Sequence, residues 1–166
     1  MITTWESAVF DDCGGVRDVY LRLDRTSDVF LISRIVEHPE IKPQIWDSDD
    51  SVSIPLHETI YHLVARLDGE VVGLVSFVPI NSITWNPHIS ILPKYRGRGT
   101  DVMRLGINWM FENTPCIKLV AFPPTFKKAM IRVFEKCGFE HEGFSSKSFR
   151  FNDVIYARLL MGLEKD

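Results

Sequence analysis

The sequence predicts a mixed α/β fold, with a central sheet of antiparallel and parallel strands and helices on both faces. Three observations carry that expectation. Residues 60–67 and 70–78 are β-rich apolar runs joined by Asp68-Gly69, a strong two-residue hairpin signal. The second run is almost continuously apolar, as a strand covered on both faces must be. From residue 83 onward, strand-like and helix-like runs alternate, which suits parallel pairing through a helical crossover.

Residues 1–17 carry no clear pattern, and 19–23 read as a short strand. The stretch 24–28 supplies capping candidates for a helix over 29–36, and Pro39 closes it nearby. Residues 41–46 read as another helical turn, and 47–55 as a polar, acidic loop. A strand is expected over 83–92 and a helix over 101–112. Residues 117–122 read as a short strand parallel to its neighbour. Thr125 is placed to cap a helix that runs to Lys136 and stops at Gly138. Residues 139–144 begin the next strand, and 149–160 add a final strand pair or one bent strand. No repeat or low-complexity tract divides the chain, so residues 1–166 read as a single domain.

Composition narrows the function classes. The chain is 45% apolar and carries a formal charge of -3 from 19 basic and 22 acidic residues. That balance leaves no footprint for nonspecific nucleic-acid or membrane binding. A local basic patch at Arg96 and Arg98 is still allowed. Cys13, Cys116 and Cys137 form neither a disulfide framework nor a metal-ligand pattern. No leader pattern opens the chain and no apolar run reaches membrane-spanning length, so a cytoplasmic, reduced protein without a metal is expected.

The densest chemical signal is Ile91-Leu92-Pro93-Lys94-Tyr95-Arg96-Gly97-Arg98-Gly99-Thr100-Asp101. A strand ends in a basic, glycine-rich turn and a helix follows at once. Helix N-termini leave backbone amides without intrahelical partners and carry partial positive charge. A phosphate or pyrophosphate fits there, and Arg96 and Arg98 can add charge-assisted donors. The plain alternative is a strand–turn–helix connection with solvent-facing arginines. Walker A chemistry is excluded, because Thr100-Asp101 follow Gly99 where Lys-Ser or Lys-Thr is needed. The dinucleotide fingerprint needs three glycines, and only two are present.

Arg96-Gly97-Arg98-Gly99-Thr100-Asp101 resembles the pyrophosphate loop of the GCN5-related N-acetyltransferases, with Arg96 and Gly99 matching and Asp101 departing from a small residue. Residues 126–139 resemble the same family's second cofactor-side helix and the strand after it. The order of elements fits from about Tyr61 to Leu160. The resemblance implies a sheet whose two parallel strands splay apart to admit the pantetheine arm of acetyl-coenzyme A. It places the backbone of Ile89, Ser90 and Ile91 on one side of that gap, and Val120 and Ala121 on the other. It assigns the cofactor side to Ile91, Leu92, Arg96, Gly97, Arg98, Gly99, Thr100, Asp101 and Lys127. Lys127 can instead face solvent, and Asp101 can cap the helix or pair with Arg96 or Arg98.

The implied reaction is acetyl transfer from acetyl-coenzyme A to a primary amine, of a protein or peptide. Such transfer needs a deprotonated amine, so a proton acceptor is required. His88 is the candidate base because imidazole titrates near neutrality. Strand alternation puts His88, Ser90 and Leu92 on one face and Ile89 and Ile91 on the other, so Ser90 can orient water. An ordinary polar strand residue is the plain reading of His88. Asn86 stands where related enzymes carry a catalytic Glu, Phe134 where they carry a Tyr, and Met130 where a branch uses a Ser. Cys137 reads as a small buried hydrophobe. Asp47, Asp49 and Asp50 can attract a cationic amine or form a solvated loop, and Trp46 and Trp85 can wall the acceptor site or pack a core.

Residues 138–144 and His38-Pro39-Glu40-Ile41 resemble segments of transferases acting on protein N termini or ribosomal proteins. The second segment, joined to this compact body, is also similar to small tailed-phage head-assembly proteins. That likeness implies the alternative function, a noncatalytic protein that binds assembly partners on the same fold.

Overall fold

The structure is a computed structural model that describes residues 3–10, 16–46 and 51–166, with 3–10 and 16–19 described by their backbone alone. Its elements are β1 (Thr3–Phe10), β2 (Val16–Arg25), α1 (Val29–Val36), α2 (Lys42–Ile45), β3 (Tyr61–Leu67), β4 (Glu70–Pro79), β5 (Thr84–Ile91), α3 (Gly99–Asn113), β6 (Lys118–Ala121), α4 (Lys128–Lys136), β7 (Glu140–Phe151) and β8 (Val154–Glu164). The strands form one sheet in the order β1-β2-β3-β4-β5-β6-β8-β7. Among the described residues, β5 and β6 pair in parallel and the other neighbours are antiparallel.

Asp68 and Gly69 have φ of 49° and 89°, the positive pair that a tight two-residue hairpin needs. Asp68 also fixes β2, because its side chain accepts from the Tyr20 amide at 3.1 Å. Asn152 and Asp153 repeat the positive pair, at 47° and 60°, between β7 and β8. The final segment is therefore a strand pair, with β7 reaching from residue 140 to 151.

Helices cover both faces, and alternation along β3 and β4 separates the two cores. Leu63, Ala65, Val75 and Phe77 face α3 and α4, together with Val102, Met103, Met110 and Phe134. Val64 and Leu74 face α1, against Ile32, Ile35 and Ile41. Each fully buried large side chain contributes about 1.5–3 kcal/mol relative to exposure. Gly106 lets α3 approach the sheet closely, since a Cβ there would lie 3.0 Å from Val75 and 3.1 Å from Phe77.

Several local expectations need correction. Helix α3 begins at Gly99 rather than at 101. Strand β2 is longer than 19–23, because β1 and β3 pair with it along both edges. Thr125 does not cap α4. Its amide donates to the Ala157 carbonyl at 3.0 Å, which ties it to the β8 side, and the helix starts at Lys128. Asp28 does cap α1, accepting from the Leu31 amide at 3.1 Å.

Candidate active site

Strands β5 and β6 are in register only at Thr84–Lys118 and Trp85–Leu119. Beyond Trp85 that edge of β5 meets no strand among the described residues, so the sheet opens into a gap. Alternation decides which groups face it. The Thr84 carbonyl and the Leu92 amide bond toward the β4 side, while the Ile83 carbonyl bonds toward the β6 side. Odd-numbered residues therefore present N–H and C=O to the gap. Pro87 falls on this register, where its missing N–H breaks no ladder bond. Ile89 and Ile91 are left as the backbone groups available to an extended ligand. Ser90 instead aligns its backbone with β4.

A groove of about 450 Å³ runs from this edge to the start of α3. Gly97 lies at its turn with φ of 102°, a conformation that favours glycine. Arg98 is the α3 N-cap and gives no side-chain cap, so the amides of Gly99, Thr100 and Asp101 lack that satisfaction. Ile91, Arg96, Gly97, Gly99, Thr100 and Lys127 line the groove. Leu92, Arg98 and Asp101 do not. The Leu92 side chain packs in the α1 core, and Arg98 pairs with Asp101 at 3.7 Å. Arg96 is paired with Glu40, on the connection between α1 and α2. The basic turn thus carries two acidic neighbours.

On the α1 side of the gap lies a cavity of about 310 Å³. His88, Ser90 and Asn86 project into it from β5, and Met130 and Phe134 close it from α4. The expected face assignment for His88 and Ser90 agrees with this wall. His88 is accessible to water in the cavity, yet protein surrounds the ring, and burial pushes its pKa below 6.5. These facts are compatible in a concave wall: the ring has an open side but incomplete solvation. Among the described residues, no side chain hydrogen-bonds His88.

The register places Ser76 between two imidazoles, opposite His62 on one side and His88 on the other. His62 Nε2 lies 2.9 Å from the Pro55 carbonyl, which can only accept, so that nitrogen carries a proton. In the neutral ring Nδ1 then accepts from the Ser76 hydroxyl, at 2.8 Å. Ser76 retains lone pairs for a donor in the cavity. Sequence reasoning missed this row. Its signals were His62 and Ser76, polar interruptions at the same parity in two apolar strands.

The groove and the cavity meet at Gln44, Ile45, Ile89, Ser90, Lys127 and Met130, which line both. Lys127 does not point to open solvent. Its ammonium bonds the Gln44 carbonyl and lies 5.4 Å from the Phe149 ring centroid. Burial lowers its pKa to about 8. Trp85 is not a cavity wall but a core residue, 2% exposed, with its indole N–H donating to the Thr59 carbonyl at 2.9 Å. Trp46 lines neither space, and Asp47, Asp49 and Asp50 lie outside the described residues. The Cys137 thiol is pushed up to about 11 by burial, which suits packing and not nucleophilic chemistry. Among the described residues no cluster could hold a metal ion, and no helix is long and apolar enough to cross a membrane.

Comparison with known proteins agrees with this geometry. The profile of the acetyltransferase (GNAT) family matches residues 27–139, more than half of the chain. Spermidine N-acetyltransferase from Vibrio cholerae, solved with CoA and spermine, is similar in structure with a TM-score of 0.75 at 17% identity. That match covers 87% of this chain and 95% of the other. Ribosomal-protein-S5-alanine acetyltransferase from Vibrio fischeri gives 0.67 at 16% identity, covering 89% and 93%. No curated protein matches the chain in sequence. A splayed β5–β6 pair, an uncapped helix start at a basic glycine turn and the family match lead to one assignment: the chain belongs to the acetyltransferase (GNAT) family, whose acyl donor is acetyl-coenzyme A.

Proposed function

We propose that the protein is an acetyl-coenzyme A-dependent N-acetyltransferase acting on a primary amine, with a peptide or protein amine as the acceptor. One observation carries the reading. The groove that holds the open β5 edge and the helix-start amides runs into the cavity that holds His88, through a shared wall. The groove residues fit the donor. Ile89 and Ile91 offer backbone groups for amide pairing, and the amides of residues 99–101 offer donors for pyrophosphate.

Acetyl-coenzyme A, when bound, supplies an acetyl thioester activated toward amines. The chain supplies position and proton handling. His88, kept neutral by its surroundings, accepts the proton of an incoming ammonium directly or through a water near Ser90. Ser76 orients the acceptor by accepting one of its N–H groups. Lys127 holds positive charge where groove and cavity meet, and would stabilise and protonate a thiolate leaving there. This role replaces the missing phenol at Phe134.

The test is thiol release from acetyl-coenzyme A with and without amines, across peptides, protein N termini and polyamines. Amine-dependent release is expected, and His88→Ala should lower kcat about 100-fold. Binding of the cofactor without release from any amine would contradict transfer and favour the noncatalytic, partner-binding alternative.

A further inference from the structure

Among the described residues, the charged side chains lining the cavity around His88 are all basic. Arg158, on β8, lines its wall and is half-buried. Its Nε donates to the Ser148 hydroxyl at 3.3 Å, and its guanidinium lies 5.8 Å from the Phe122 ring centroid. Among the described residues it has no carboxylate partner. Among the described residues, Lys127 on the same wall bonds a carbonyl and lies near the Phe126 and Phe149 rings, with no carboxylate partner. No described Asp or Glu lines the cavity. A second, shallower depression borders it through Ile45 and Phe149, and its charged lining residues are Lys147 and Arg150. The chain as a whole has a charge of -3, so this basic wall runs against the overall balance.

A half-buried guanidinium that meets no carboxylate among the described residues is incompletely compensated by them, and an anion in the cavity would relieve it. Among the described residues a dication would meet two like charges and no carboxylate, an arrangement that selects against it. Arg158 lies outside the cofactor groove, so the donor's phosphates do not account for it. Resting on the transferase reading above, we propose that the acceptor is an amine that also carries an anionic group, with Arg158 as the residue that binds that group. The shared chemistry is a carboxylate or phosphate on the amine-bearing molecule. A small amino acid and the acidic N-terminal segment of a peptide are its two sources.

Matched acceptors test this. γ-Aminobutyrate, butylamine and putrescine have similar length and differ in charge. Two C-terminally amidated tripeptides with an N-terminal alanine, followed by glutamate or lysine, cover the peptide source. With the full chain and saturating acetyl-coenzyme A, kcat/KM should be about tenfold or more higher for the anionic member of each set it accepts. Arg158→Met should raise KM for that member and narrow its advantage over the neutral or cationic one about tenfold. Arg158→Lys, which keeps the charge, should retain part of the advantage, and retention of the fold is checked by the thermal midpoint of each variant. Equal or better turnover of putrescine and the lysine peptide by the wild type would overturn the proposal while leaving the transferase reading intact. No turnover with any amine, despite cofactor binding, would overturn both.

Discussion

His88 and Lys127 are shifted in the same direction by the same cause, because incomplete solvation penalises each cationic form. The consequences differ. His88 is neutral at physiological pH and ready to accept a proton. Lys127, with its pKa lowered to about 8, is still mostly charged there. In kcat/KM for acetyl-coenzyme A at saturating amine, activity should rise with an apparent pKa below 6.5 and fall with one at about 8. Lys127→Met should remove the alkaline limb; an unchanged limb would exclude Lys127 as its source. Stability should respond as well. A lysine whose pKa is lower in the folded state destabilises that state while protonated. The penalty is fully present below pH 8 and is relieved as pH rises from 8 toward 10.5. Lys127→Met should therefore stabilise the ligand-free protein at pH 7 by on the order of 3 kcal/mol at most, and flatten that rise in a denaturant series. Neither lysine burial nor cavity charge was legible in the sequence. Lys127 could be read only as phosphate-facing or solvated, because its surroundings come from α2 and β7, which are distant along the chain.

At the scale of elements, two close approaches govern the cofactor side. The first is α3 on the sheet at Gly106, where space is lacking even for a methyl group without adjustment. Gly106→Val should cost about 1–3 kcal/mol by overpacking against Val75 and Phe77, read as a lower denaturation midpoint. The second is the Arg96–Glu40 pair beside the helix start. Both side chains are more than half exposed, so the pair contributes at most about 1 kcal/mol to stability. Glu40→Gln should leave the melting temperature nearly unchanged and tighten acetyl-coenzyme A binding several-fold, measured by titration. Weaker binding would show that Glu40 holds Arg96 in a productive pose. The glycine-rich strand–turn–helix was readable because its signals are local: turn residues, a strand run and a helix run in sequence. The start of α4 was not. Thr125 has the right chemistry for a cap, but its amide is held by a strand about thirty residues later, and local pattern contains no such tie.

For the whole molecule, the fold was legible because two periodicities persist over long stretches. Alternation in residues 60–78 separates the two cores, and the Asp68-Gly69 turn fixes the register between its strands. The site was legible only where backbone geometry follows from fold. His88 and Ser90 reach the cavity because strand parity places them there, and the open β5 edge follows from the splayed pair. The His62–Ser76 contact and Arg158 depend on strands brought together from distant parts of the chain, and no local signal assigns their partners. On the proposed function, the β5 edge and the α3 start form one acetyl-coenzyme A site opening onto His88. Calorimetric titration of the purified chain with acetyl-coenzyme A tests it most directly. Saturable binding of one cofactor per chain is expected, with a dissociation constant on the order of micromolar and weaker binding in Gly97→Val, where φ of 102° disfavours a branched side chain. No heat of binding at millimolar cofactor would contradict it.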